Sequence, residues 1–139
     1  MTYVQSMLDA YPKDLGSVDK TKLVECIQAC FDCAQTCTAC ADACLSEDMV
    51  AELTKCIRAN LDCVDICAST GKILSRHGSY DAEITRAVLV ACRAACKICA
   101  DECGQHASMH RHCEVCAEAC RRCEQACTEL LASLSRNER

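Results

Sequence analysis

The chain has 139 residues with a net charge of −5, and 18 of them are cysteine against four glycines, one proline and four aromatics. So few turn and strand formers argue against a β-rich fold. The interspersed acids and bases exclude a nucleic-acid-binding stripe, and no segment reaches the length of a membrane span.

The length suits one domain with a single core, taken here as residues 1–139. Met1 to Ala10 has neither the basic start nor the continuous apolar run of a secretory signal. A cytoplasmic location is therefore expected, where thiols are kept reduced. Residues 1–16 form an N-terminal extension whose stretch from Thr2 to Tyr11 suits a short helix ended by Pro12.

The first long helix is expected over 17–45, with Ser17 or Asp19 as its N-cap. Its cysteines are Cys26, Cys30, Cys33, Cys37, Cys40 and Cys44, alternately four and three residues apart. That alternation is the spacing of a helix's core seam, and it runs for about 27 Å at 1.5 Å per residue. Ser46-Glu47-Asp48 breaks the chain and caps a second helix over 47–77, whose seam reads Met49, Leu53, Cys56, Asn60, Cys63, Cys67, Thr70 and Leu74. His77-Gly78 is a helix C-terminal signal, with His77 a cation favoured by the helix dipole. The third helix, over 80–106 and capped by Ser79 or Asp81, carries Thr85, Leu89, Cys92, Cys96, Cys99, Cys103 and His106. After a turn at Gly104 to Ser108, the fourth, over 109–135, carries Met109, Cys113, Cys116, Cys120, Cys123, Cys127, Leu130 and Leu134. The charged residues between the cysteines, such as Asp32, Asp42, Arg93, Lys97 and Asp101, fall on the outer faces.

Four seams of similar length joined by short connections predict an all-α fold. The expected form is an up-down-up-down antiparallel four-helix bundle with a cysteine-lined core and a short N-terminal helix. In that topology one end gathers Cys44, Met49, His106, Met109, His110 and His112, and the other gathers Leu23, Leu74, Leu89, Leu130 and Leu134. One end is an apolar plug and the other a mouth lined with potential ligands.

One or two free cysteines in a core need no function, but 18 do. Helix geometry opposes disulfides between i and i+4, and the expected compartment opposes a disulfide framework. The iron–sulfur run of consecutive CxxC steps before a proline is missing. Zinc is a rival, because a CxxC such as Cys30–Cys33 resembles half a zinc site. Isolated four-thiolate zinc sites, however, bury a charge of about −2 each. A thiol redox reservoir is the other rival class, and it needs exposed cysteines of low pKa. Cu(I) fits best, being soft and content with two or three sulfurs. CxxxC pairs such as Cys26/Cys30, Cys63/Cys67 and Cys123/Cys127 stack on one helix face, where both sulfurs can turn onto one ion. If each thiolate bridges two ions and each ion takes two thiolates, charges balance at about one Cu(I) per cysteine, so roughly 18 ions per chain. No Ser/His/Asp pattern, phosphate loop or lone activated cysteine suggests catalysis.

These CxxxC stripes and the histidine-bearing mouth resemble the copper storage proteins, in their cytosolic branch, from about Val18 to Leu134. The resemblance implies a four-helix bundle storing many Cu(I) ions for copper homeostasis, and a homotetramer. Copper donor or acceptor proteins are the partners to expect, with no nucleic acid and no membrane. It also implies non-sulfur ligands near the mouth, for which Asn60, His106 and His110 are the candidates beside the cysteines. Asn60 can equally serve by bonding to a neighbouring thiol. His112 falls off the seam and ranks below the other two histidines. Met49 and Met109 can either cover the core or pass copper along.

Overall fold

A computed structural model describes residues 2–137; Met1 and positions 138–139 of the expected domain lie outside the described residues. The described residues form α1 (Tyr3–Asp9), α2 (Lys20–Leu45), a 3-10 turn (Val50–Glu52), α3 (Thr54–Leu74), α4 (Ala82–Gly104) and α5 (Arg111–Asn137), with no strand. The fold is an all-helical bundle. Helix α2 packs on α3 and α5, α4 packs on the same two, and α1 lies against α2.

Local chemistry sets the helix ends. Thr2 caps α1 through its side-chain oxygen, and Pro12 follows the helix by three residues, where another turn is impossible. Asp19 caps α2 by accepting from the Lys22 N–H at 3.1 Å. Asp81, of the two candidates offered by the sequence, caps α4 by accepting from Glu83 and Ile84 N–H.

Two boundaries differ from expectation. The third helix of the chain begins at Thr54 rather than at residue 47, after the 3-10 turn, and Leu53 precedes it without a side-chain cap. Leu53 is buried, so packing rather than a polar cap ends the connection there. That helix also ends at Leu74, with Ser75 still right-handed, and the left-handed residue of the following turn is Ser79 rather than Gly78. Helices α4 and α5 likewise stop and start around a turn reaching Arg111, two residues beyond the expected start.

The core carries the seams read from the sequence. All 18 cysteines are buried, at no more than 1% exposure, together with Leu23, Leu74, Leu89, Leu130 and Leu134. Gly71 lets the Phe31 ring lie against α3: a Cβ at that position would stand 2.9 Å from the ring tip. The outer faces are charged and cross-linked, as where Arg122 reaches Asp32 at 2.7 Å between α5 and α2. Exposed pairs of this kind contribute about 0–1 kcal/mol each. No helix among the described residues is long and apolar enough to cross a membrane.

Candidate metal centre

The seam spacing delivers sulfur to the axis of the bundle at regular intervals, and sulfurs from different helices meet there. Beginning beside the leucines, Cys26 meets Cys127 at 3.8 Å and Cys30 meets Cys92 at 3.9 Å. Cys67 lies 3.5 Å from Cys96, and Cys33 lies 3.7 Å from Cys63 and 3.6 Å from Cys120. Cys37 follows, 3.6 Å from Cys116 and 3.9 Å from Cys99. Towards the histidines, Cys56 approaches Cys103 at 3.3 Å and Cys44 at 4.0 Å.

These distances are far too long for the S–S bond of about 2.05 Å, and all 18 cysteines are free. They suit shared metal instead. A metal–thiolate bond of about 2.3 Å, the zinc value, lets two sulfurs up to about 4.6 Å apart hold one ion. Sets of four thiols gather within 4.8 Å of one another, among them Cys30/Cys92/Cys123/Cys127, Cys33/Cys63/Cys67/Cys96, Cys37/Cys99/Cys116/Cys120 and Cys40/Cys44/Cys56/Cys113. A fifth set, Cys33/Cys37/Cys63/Cys120, shares members with its neighbours, so the core is a continuous column rather than separate cages.

Burial pushes thiols up, and the hydrogen bonds between them then divide the column. A sulfur that accepts is favoured as thiolate and one that donates as thiol. Cys30 is raised, most by its bond to Cys123, whereas Cys33 is lowered, most by Cys120. Near the histidines burial lifts Cys44 to about 11.

Asn60 is fully buried, and its amide is used on both sides. Its Oδ1 accepts from the thiols of Cys99 and Cys116 at 3.1 Å each and of Cys103 at 3.5 Å, and its Nδ2 donates to Cys56 at 3.8 Å. Asn60 therefore bonds to thiols, and the same oxygen stands where an ion among those sulfurs would find it.

The structure distinguishes the three histidines differently from the seam. His106 Nε2 lies 3.0 Å from Glu102 Oε2, with Lys55 at 3.7 Å from the same carboxylate. His110 Nδ1 lies 2.9 Å from Glu47 Oε2. His112 is the one bonded to sulfur among the described residues: its Nδ1 is 3.4 Å from Cys40 and 3.6 Å from Cys113, while its Nε2 is 2.9 Å from Glu47 Oε2. Burial pulls His112 down, but its bonds to Cys40 and Glu47 outweigh burial and the net shift is upward.

His112 falls off the seam, but it sits in the first turn of α5, where the chain enters from a loop, and its ring reaches across to Cys40 of α2. The HxH spacing immediately before Cys113 was the available signal. Met49 packs against the core, while Met109 is exposed. At the other end, the surroundings of His77 oppose the charge expected at a helix end. Burial lowers its pKa, and its ring meets Tyr11 edge-on at 5.2 Å.

The model of the family described as copper storage protein matches residues 19–132. Among solved structures, a copper storage protein of Streptomyces lividans described as loaded with 10 copper equivalents is 62% identical, with a TM-score of 0.93 over 94% of this chain and 98% of that one. A second structure, described as copper loading to a cytosolic copper storage protein from Streptomyces lividans with five coppers, is 63% identical. Its TM-score is 0.80 over 81% of this chain and 93% of its own. A histidine-to-alanine mutant of the Streptomyces lividans protein is 62% identical with a TM-score of 0.85, over 86% and 99% of the two chains. No curated protein sequence matches the chain.

Proposed function

The chain belongs to the copper storage protein family, and on that premise we propose that it stores Cu(I) at about one ion per cysteine inside a single domain spanning residues 1–139. The observation that carries this reading is the continuous column of 18 buried, free thiols. Sulfurs within 4.0 Å of one another can share ions, and a one-to-one ratio leaves a filled core near neutrality, as burial requires.

The architecture we propose is the up-down-up-down antiparallel four-helix bundle of α2 to α5, with residues 1–16 as an outer extension. The sulfur pairs support it: Cys33 meets Cys63 while Cys44 meets Cys56, as an α3 running against α2 requires. Likewise Cys26 meets Cys127 while Cys37 meets Cys116, as an α5 running against α2 requires.

The ligands are the 18 cysteines, with Asn60, His106 and His110 as non-sulfur ligands at the open end. To these the geometry supports adding His112 through its Nδ1. The role is storage without catalysis, in the cytoplasm, in keeping with a relative described as cytosolic. Assembly as a homotetramer and exchange with copper donor or acceptor proteins belong to the same proposal. Exposed apolar side chains such as Ile84 and Ile98 on α4 supply contact surface for assembly.

Anaerobic titration of the reduced protein with Cu(I), against a chromophoric chelator, tests the reading. Uptake near one ion per cysteine before the chelator complex forms is expected. Saturation at one or two ions, or zinc held as well as copper, overturns it.

A further inference from the structure

We propose that Glu47 is a positioning residue that fixes the tautomers of His110 and His112, so that both present a nitrogen lone pair to an incoming cuprous ion. The inference rests on the storage reading above.

Glu47 lies in the connection after α2. Its Oε2 lies 2.9 Å from His110 Nδ1 and 2.9 Å from His112 Nε2. A carboxylate only accepts, so both facing nitrogens hold their hydrogens. A neutral imidazole has one hydrogen, and its other nitrogen is then a lone pair. In the neutral rings one oxygen therefore imposes opposite tautomers: His110 keeps a lone pair on Nε2, and His112 keeps one on Nδ1, the atom that faces the sulfurs.

Each free nitrogen sits where a ligand would be used. His110 Nε2 is buried and has no hydrogen-bond partner, which is costly for a polar atom and which a cation relieves. His112 Nδ1 already faces Cys40 and Cys113 at 3.4 and 3.6 Å. The rings stack with centroids 5.4 Å apart and planes 20° from parallel, so the two lone pairs belong to one rigid unit. A carboxylate behind a histidine also raises its basicity as a metal ligand. Without Glu47, His112 can instead place a hydrogen on Nδ1 and donate it to Cys40, closing the position an ion needs.

The test uses full-length, reduced, metal-free protein, wild type and Glu47→Ala, at mildly alkaline pH. Imidazole ¹⁵N–¹H correlation spectra assign the tautomers, with His110→Ala and His112→Ala identifying the signals. Stopped-flow mixing with a chelated Cu(I) donor gives the rate of the first uptake. Wild type is expected to show His110 protonated at Nδ1 and His112 at Nε2. Glu47→Ala is expected to lose the His110 Nδ1–H form and to slow first uptake about tenfold or more, the usual effect of losing an outer partner. Glu47 is half-exposed on a connection, so the variant should keep the wild-type far-ultraviolet circular dichroism. Unchanged tautomers and rate in Glu47→Ala, or His110 protonated at Nε2 in wild type, overturn the inference while leaving storage intact. Wild-type saturation at one or two ions overturns storage itself, whatever the tautomers.

Discussion

Replacing Cys33 and Cys37 together with alanine separates two ways in which the column can fill. Cys33 has sulfurs of Cys37, Cys63 and Cys120 at 3.8, 3.7 and 3.6 Å, and Cys37 has those of Cys99, Cys116 and Cys120 at 3.9, 3.6 and 3.6 Å. If thiolates bridge ions along the column, capacity falls only by the two lost ligands, from about 18 ions to about 16. The two residues also belong to the groups Cys33/Cys63/Cys67/Cys96, Cys33/Cys37/Cys63/Cys120 and Cys37/Cys99/Cys116/Cys120, which together contain eight thiols. If those groups fill only as complete sets, capacity falls instead to about 10 at the same one-to-one ratio. Losing two buried sulfur atoms should cost about 1 kcal/mol each in the metal-free fold, by analogy with deleting a buried methyl group. The variant should therefore remain folded, which chemical denaturation of the reduced protein checks. Anaerobic titration with mass spectrometric counting of bound ions reads the capacity. A value near 16 is expected, and one near 10, or one unchanged from wild type, would refute the bridging argument.

Other consequences are as open to measurement. His106→Ala combined with His110→Ala should slow loading while leaving the final number of ions nearly unchanged, since 18 sulfurs remain. Loading at the wild-type rate in a stopped-flow assay would remove these side chains from the entry route. Because every cysteine is at most 1% exposed, a chromogenic thiol reagent should label the folded, metal-free protein slowly and the denatured protein at once. Fast stoichiometric labelling of the folded state would favour the thiol redox alternative. Loading at weakly buffered neutral pH should acidify the solution, by up to about one proton per ion, because bound thiols must give up their hydrogens. A release well below that figure would show a core already ionised before metal arrives.

The sulfur column could be read from the sequence because a strict alternation of three and four residues has one meaning on a helix. Every seam cysteine, and Asn60 among them, is buried as that spacing requires. The ends were less readable, for two physical reasons. First, Leu53 stops the connection by burying itself, so the third helix begins at Thr54 and the polar triplet Ser46-Glu47-Asp48 does not cap it. Second, periodicity ranks residues only where the helix is already regular. His112, in the first turn of α5, meets Cys40 of α2 by crossing between elements, and Glu47 reaches both histidines from a loop. Contacts of this kind join positions with no fixed spacing, so no pattern along the chain announces them. His77 illustrates the converse: its place at a helix end suggested charge, but Tyr11 of the N-terminal segment covers it.

The leucines at the closed end have a consequence for the age of the cargo. Leu23, Leu74, Leu89 and Leu130 are each at most 4% exposed, so if copper enters past the histidines, as proposed, it also leaves there. A vessel with one opening works as a stack: the ion that arrives last lies nearest the exit and leaves first. Ions beside Cys26 and Cys127 would then be the oldest in the molecule, turning over only when the store is nearly drained. Pulse-loading with one copper isotope after another, followed by partial withdrawal, would show the second isotope leaving ahead of the first.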